Sequence, residues 1–209
     1  MTVFPDVDVL YTEAEVCEAS EPRAADTGFA EAHANETRLR SMLEAYFEPV
    51  CVALRRLGVP QADLEDGAQQ VFVVASQKLA SIEKGRERAF LMGTAVFIAS
   101  HARRTKKRKP EVSENEGSSH EFAAGGFLPD ELMEQKQRRA LLDQVLAAMP
   151  EELRVVLVLF ELEELTMQEI SLALDWKPGT VASRIRRSRE VFAELSARAI
   201  ANEKQGRRS

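Results

Sequence analysis

The chain has 209 residues, of which 44% are hydrophobic and 30% are charged, and this composition is typical of one or two small globular domains. No run of about 18 apolar residues is present, and the N-terminus lacks the basic flank and apolar core of a signal peptide. We therefore expect a soluble, cytoplasmic protein with no membrane insertion.

The net charge of −6 is distributed unevenly along the chain. Residues 1–36 carry nine acidic residues and one arginine, a net of −8, whereas residues 103–109 (RRTKKRK) contain six basic residues in seven. A strongly acidic segment with few large apolar residues favours disorder over residues 1–36. We interpret this segment as a solubilising tail, with competition against DNA for basic surfaces as the alternative.

Residues that could support catalysis or metal binding are sparse. The two cysteines and three histidines have neither the spacing of a zinc site nor that of a disulfide framework. Glycine-rich phosphate loops, nucleophile elbows and HExxH strings are absent. We therefore predict that the protein is not an enzyme and uses no metal and no cofactor.

The first periodic segment, residues 39–57, has apolar residues at helical spacing and predicts a helix that Pro49 kinks or divides. A second helix is predicted over 63–79 and a third over 88–104, which runs into the basic cluster. The second helix has a polar outward face: Asp66, Gln69, Gln70 and Gln77. We assign these helices to one domain, residues 37–109.

Residues 110–133 begin with proline and are rich in Glu, Ser and Gly, which predicts a flexible linker. Helical spacing then resumes, and we assign residues 134–204 to a second helical domain, followed by a short tail at 205–209. The predicted fold is all-α: two small helical domains joined by a flexible linker, the C-terminal one containing a helix-turn-helix.

Residues 166–189 predict that helix-turn-helix. Thr166 and Glu169 have the spacing of a capping box at the start of the first helix, turn residues occupy 175–179, and Thr180 is placed to cap the second helix. Such a helix pair can enter the DNA major groove. The alternative is an αα-hairpin with a solvated basic face, which is common in helical proteins.

The second helix of this motif separates its apolar and polar residues. At about 100° per residue, Val181 and Ile185 lie on one side, and Ser183, Arg186, Arg187 and Glu190 point the opposite way. Arginine pairs well with guanine O6 and N7. The predicted base contacts are Ser183, Arg186 and Arg187. The predicted phosphate contacts are Thr180, Arg184 and Arg189.

Both halves of the chain contain short sequence motifs that occur in a particular order. The C-terminal half contains Met149-Pro150, Arg154, an apolar run and Gly179-Thr180-Val181 with Ser183-Arg184. The N-terminal half contains Glu65-Asp66 with Gln69, Val71 and Phe72, followed by Arg88-Ala89-Phe90-Leu91. In this order, over roughly residues 37–200, the strings resemble those of bacterial RNA polymerase sigma factors of the extracytoplasmic-function (ECF) group.

The resemblance implies two partners, core RNA polymerase (its β′ clamp and β flap) and promoter DNA. The helix-turn-helix would read the −35 element, and basic residues of the first domain would meet the −10 element: Lys84, Arg86, Arg88, Arg103 and Arg104. The β′ clamp would bind Asp66, Gln69 and Gln70. Sigma factors of this group are commonly held inactive by an anti-sigma factor, which adds a further candidate partner.

Two other classes of protein stay open on the sequence alone. A stand-alone helix-turn-helix transcriptional regulator would account for residues 150–200 but would leave the first domain without a role. A protein-binding helical adaptor would account for the helices but not for the outward-facing arginines.

Overall fold

The structure, a computed structural model, describes residues 25–108 and 129–206. These residues form seven α-helices with short 3₁₀ and π-helical turns and no β-strand, so the predicted all-α fold is confirmed. None of the described helices is long and apolar enough to cross a membrane. The helices are α1 (Ala25–Arg56), α2 (Leu64–Gln77), α3 (Glu87–Arg108), α4 (Pro129–Ala148), α5 (Glu151–Leu157), α6 (Met167–Leu174) and α7 (Pro178–Gly206).

Two boundaries near the N-terminus differ from the predictions. Because α1 begins at Ala25, residues 25–36 are helical and do not belong to a disordered segment; their alanines and glutamates are good helix formers. α1 also continues through Pro49 as one helix, with the buried Met42 before the proline and the buried Val50 after it. Residues 1–24 of the predicted acidic tail lie outside the described residues.

The bounds of the second half also differ from the predicted ones. α4 begins at Pro129, inside the predicted linker, because proline at the first helical position loses no hydrogen bond that the helix needs. α7 extends to Gly206 and so includes the first two residues of the predicted tail. Residues 109–128, the rest of the predicted linker, lie outside the described part of the chain.

The first half, α1–α3, is a three-helix unit in which each helix packs on the other two. The predicted apolar face of α2 is buried, together with Leu54 of α1 and Leu91 of α3. Phe47 stacks on Phe72 with ring centroids 6.1 Å apart. The polar face of α2 is exposed, so the helical spacing predicted both faces of this helix correctly.

In the second half, α7 contacts α4, α5 and α6. α5 continues into a π-helical turn at Val158–Leu162, and most of this apolar stretch is buried. Val181 and Ile185 of α7 are buried against it. The packing therefore fixes which side of α7 faces solvent.

The two halves pack against each other. α6 lies on α3, and buried residues from both halves form one hydrophobic core. The closest approach joins Gly93 to Ala173, where a Cβ added to the glycine would lie 2.9 Å from the alanine Cβ. Glycine is therefore required at position 93 in this arrangement, which the sequence did not predict.

The predicted capping box at the start of α6 is present. The Glu169 N–H donates to Thr166 Oγ1 (3.2 Å), and the Thr166 N–H donates to the Glu169 carboxylate (2.8 Å). These backbone and side-chain hydrogen bonds with Thr166 hold the pKa of Glu169 below its ordinary value, although burial opposes them. The lowered pKa means that the carboxylate stabilises the fold above about pH 4.5 and loses this effect on acidification.

We expect Thr166→Ala to lower the free energy of unfolding by about 1 kcal/mol at pH 7, because it removes the cap and one partner of the carboxylate. Near pH 3 the loss should shrink, since acidification protonates Glu169 and removes the carboxylate's share of the effect. Urea denaturation at the two pH values measures the difference. Thr37→Ala, which removes an exposed threonine inside α1, is the control; equal losses at both pH values would contradict the prediction.

Candidate nucleic-acid interface

The turn between α6 and α7 is built from backbone hydrogen bonds. Asp175 caps the C-terminal end of α6 in the left-handed conformation (φ 51°, ψ 42°), which asparagine and aspartate tolerate better than most residues. The Trp176 N–H donates to the Ser171 carbonyl (3.0 Å), and Ser171 Oγ donates to the Trp176 carbonyl. Two hydrogen bonds between Ser171 and Trp176 thus hold the turn.

The prediction that Thr180 caps the second helix is wrong. α7 begins at Pro178, whose fixed φ suits the first helical position. Thr180 lies in the first turn, and its N–H donates to the Lys177 carbonyl at 2.8 Å. That amide is therefore already hydrogen-bonded within the turn, and the predicted phosphate contact of Thr180 has to come from its side chain.

The outer face of α7 carries the three predicted base-contacting residues. Ser183, Arg186 and Arg187 are exposed, on the side opposite the buried Val181. Glu190 pairs with both arginines, at 3.7 Å from Arg186 and 2.8 Å from Arg187. The hydrogen bond from Arg187 lowers the pKa of Glu190. This face offers guanidinium donors and one carboxylate acceptor to a partner in solvent.

The two flanking arginines are held by acids of the same half. Arg184 pairs with Glu152 (2.6 Å) and lies over the Trp176 ring at 4.0 Å. Arg189 pairs with Glu161 (2.6 Å). Its guanidinium lies 5.5 Å from the Phe160 ring centroid. Both arginines therefore hold α7 against the segment formed by α5 and the π-helical turn. Local spacing did not predict this structural role.

The basic residues predicted for the −10 element lie in two environments. Lys84 is exposed and Arg86 pairs with the exposed Glu83 at 2.8 Å. Arg88 and Arg103 instead point to the second half: Arg88 pairs with Glu163 (3.5 Å), and Arg103 donates to the Leu57 carbonyl and to Glu151. Arg104 is half-buried. The structure thus places all five residues on α3 or on the loop before it.

A clamp that the sequence did not predict holds this loop. Arg38 of α1 donates to the carbonyls of Leu79 (3.2 Å) and Ile82 (2.7 Å) and to the Glu87 carboxylate (2.7 Å). Burial raises the pKa of Glu87, but hydrogen bonds from Arg38 and from the backbone N–H groups of Glu87 and Gly85 outweigh it, so the pKa is lowered. Arg38 and Glu87 lie 49 residues apart, so no local spacing could have paired them.

Glu163 is the most deeply buried carboxylate of the described chain, with 4% of its side chain exposed. It accepts from Arg56 at 3.0 Å and lies 3.5 Å from Arg88. Burial raises its pKa, and the two arginines offset only part of this effect. A buried charge of this kind is tolerated only when it is paired.

The predicted polymerase-binding residues share one exposed face of α2. Asp66, Gln69 and Gln70 are exposed, as is Val73 in the next turn, with 53% of its surface accessible. A mixed face of hydrogen-bonding groups around one apolar residue can bind a partner helix. Groups of side chains able to hold a metal ion are absent among the described residues.

Comparison with known proteins finds a family model that matches the second half and relatives that match most of the chain. Residues 136–191 match the model of the family "Sigma-70, region 4". The ECF RNA polymerase sigma-E factor of Escherichia coli (strain K12) is 33% identical over 143 residues, which cover 64% of this chain and 74% of that protein. The ECF RNA polymerase sigma factor SigW of Bacillus subtilis (strain 168) is 30% identical over 139 residues, which cover 62% and 73%.

Two solved structures share the fold. CnrH, in complex with the cytosolic domain of CnrY, aligns over 77% of this chain and 88% of its own with a TM-score of 0.56 and 19% identity. The sigma factor RpoE, in complex with the anti-sigma factor NepR from Bartonella quintana, aligns over 75% and 94% with a TM-score of 0.57 and 19% identity. At this identity the likeness concerns the fold alone.

We expect Arg184→Ala to lower the free energy of unfolding by about 1–2 kcal/mol, because it removes both the ion pair with Glu152 and the stacking on Trp176. Arg186→Ala should change it by less than about 0.5 kcal/mol, since that side chain is 81% exposed. Urea denaturation of the two variants measures this contrast. If the loss of stability in Arg184→Ala is as small as that expected for Arg186→Ala, Arg184 has no structural role.

Proposed function

The chain belongs to the ECF group of RNA polymerase sigma factors, and from this membership we propose that it binds core RNA polymerase and directs it to promoters by reading two DNA elements. The sigma-factor role places the protein in transcription initiation. The observation that carries the finer proposal is the outer face of α7, where Ser183, Arg186 and Arg187 are exposed on a helix whose other face is buried.

In this proposal α7 enters the major groove of the −35 element. The exposed Arg186 and Arg187 contact guanine edges, and Ser183 contacts either kind of base edge. Arg184 and Arg189 contact phosphates at the sides of the groove, and each then exchanges a carboxylate, Glu152 or Glu161, for a phosphate. Thr180, at the start of α7, contributes its hydroxyl to the same backbone.

The first half meets the −10 element in this proposal. Lys84 and Arg86 lie on the exposed loop before α3, and Arg88, Arg103 and Arg104 follow along that helix. Basic residues on a loop and along the helix that follows it suit the backbone of a separated strand, which single-strand-binding proteins contact in the same way. The Arg38 clamp supports this role, because it fixes the shape of the loop that presents Lys84 and Arg86.

Core RNA polymerase binds both halves in this proposal. The exposed face of α2 with Asp66, Gln69 and Gln70 contacts the β′ clamp, and the second half contacts the β flap. An anti-sigma factor is a further proposed partner, supported by the complexes in which CnrH and RpoE were solved. We place the protein in the cytoplasm with its polymerase, and we assign it no catalytic activity and no cofactor.

The direct test is run-off transcription with purified core RNA polymerase and genomic promoter fragments. The proposal predicts transcripts with defined start sites that appear only when this protein is added. The outcome that would replace the proposal is sequence-specific binding to duplex DNA by the protein alone with no initiation, as a stand-alone regulator would give.

We expect Arg187→Ala to change promoter preference, because one bidentate base contact gives about 1–3 kcal/mol of discrimination, or about 5- to 150-fold. Arg186→Ala should act in the same way. Arg189→Ala should weaken binding to all sequences and make the slope of log affinity against log salt shallower by at most about 1, since Arg189 leaves Glu161 when it binds a phosphate. Binding to a library of −35 duplexes at several salt concentrations separates the two effects; identical behaviour of the three variants would refute the assignment.

We expect Asp66→Arg to lower the affinity for core RNA polymerase by about tenfold, since it reverses a charge at the centre of the proposed contact. Competition binding with a labelled copy of the unmodified protein measures the change. Glu44→Arg makes the same change of charge at an exposed position of α1 and is the control. If both variants lose affinity equally, α2 is not a specific contact surface.

A further inference from the structure

The loop before α3, residues 82–86, has little packing of its own. Ile82 is buried at its start, but Lys84 at its tip is exposed. Gly85 has a positive φ of 86°, and a Cβ added there would meet no described atom within 4 Å beyond its chain neighbours. On the side facing α6, an open cavity of about 270 Å³ lies between the loop and Leu172. Side-chain packing alone therefore does not fix the shape of this loop.

The guanidinium of Arg38 holds the loop at both ends. It donates to the carbonyls of Leu79 and Ile82, where the chain enters the loop. It also donates to one oxygen of the Glu87 carboxylate, where the chain leaves the loop. The other oxygen of Glu87 accepts from the Gly85 N–H at 2.7 Å. The backbone on each side of the loop's tip is thus tied to a single side chain of α1.

Arg38 is poorly placed to contact DNA itself. Its side chain is 21% exposed, and that of its partner Glu87 is 17% exposed. An arginine has five N–H donors, and Arg38 makes four hydrogen bonds within the protein. The exposed basic residues of this region are Lys84 and Arg86 on the loop. Any effect of Arg38 on a bound strand therefore acts through the loop.

We propose that Arg38 is a positioning residue for recognition of the −10 element, because it holds the loop in the shape that presents Lys84 and Arg86 to a separated strand. This inference rests on the proposed function and names a residue on which its specificity depends. A preorganised loop presents its hydrogen-bonding groups at fixed positions. A loop that has to be ordered on binding loses affinity, and it accommodates different bases more equally.

The substitution Arg38→Lys separates positioning from charge. Lysine keeps the positive charge, but the three donors of its single nitrogen cannot reproduce four hydrogen bonds that three guanidinium nitrogens make. A residue that acted through charge alone would tolerate this change. We expect the preference for the best −10 sequence over the median one to fall about tenfold, which is within the range of one base contact. The preference for −35 sequences should not change.

Run-off transcription with core RNA polymerase measures both preferences. One template library keeps the −35 element of a genomic fragment that the unmodified protein transcribes and randomises its −10 element. A second library does the reverse, and a barcode in the transcribed region identifies each template. Arg38→Lys should flatten the preference in the first library only. Unchanged preference in the first library, or equal flattening in both, would overturn the inference.

The matched control is Arg40→Lys, the same substitution at an exposed position of α1, where the arginine pairs with Glu36 of the same helix. It should change neither preference. If it flattens the −10 preference as much as Arg38→Lys does, the effect belongs to α1 in general and the inference is wrong.

A second variant, Glu87→Gln, removes the charge of the carboxylate and keeps its size. It should also flatten the −10 preference, and the double variant with Arg38→Lys should lose less than the sum of the two single losses, because both changes break the same clamp. Additive losses would show that Arg38 does not act through Glu87, which contradicts the inference.

Hydrogen exchange in the free full-length protein tests the structural part without transcription. Arg38→Lys should speed exchange of the backbone amides in residues 79–90 and leave α6 and α7 unchanged. Unchanged exchange in residues 79–90 would show that the clamp does not hold the loop. If exchange rises throughout α1–α3, or the variant loses its helical circular dichroism, Arg38 supports the fold of the whole half. Either result rules out a positioning role.

The outcomes distinguish the inference from the function on which it rests. If the unmodified protein initiates no transcription with core RNA polymerase, the proposed function fails and the inference fails with it. If the unmodified protein initiates and Arg38→Lys keeps its −10 preference, the sigma-factor role stands and the positioning role of Arg38 is wrong.

Discussion

The burial of the Glu163 carboxylate between Arg56 and Arg88 is the constraint on which the arrangement of the two halves depends. Burial raises the pKa of Glu163, although both arginines lower it, so the charged form of this side chain depends on the two ion pairs. The buried acid therefore restricts which faces can meet, since any other register would leave it without its arginines.

Helix α3 has two uses that compete for the same surface. It carries Arg88, Arg103 and Arg104, which we assign to the −10 element, and it also carries Gly93, on which α6 rests. Two features of α3 allow both uses. Gly93 lets α6 pack closely on the helix, and the arginines of α3 can pair either with a carboxylate or with a phosphate.

The sequence predicted the features that depend on residues close in the chain. The capping box at Thr166, the two faces of α2 and the outward arginines of α7 follow from helical periodicity, and all are present. The predicted start of α7 was wrong because two residues compete for that place. Threonine is favoured as a cap and proline is favoured at the first helical position, and the helix begins at Pro178. Neither the Arg38–Glu87 clamp nor the Arg56–Glu163 pair, 107 residues apart, could be predicted, since nothing in local spacing couples such positions.

The contact between the two halves is complementary in charge, and this has a consequence for how ionic strength acts on the protein. Arg88 and Arg103 of the first half pair with Glu163 and Glu151 of the second. If these arginines bind DNA phosphates as we propose, each leaves a carboxylate, so the net number of ion pairs gained is smaller than the number of phosphates contacted. Salt weakens the internal pairs and the DNA contacts together. In the proposed role, the salt dependence of DNA binding would therefore underestimate the phosphate contacts of these two arginines.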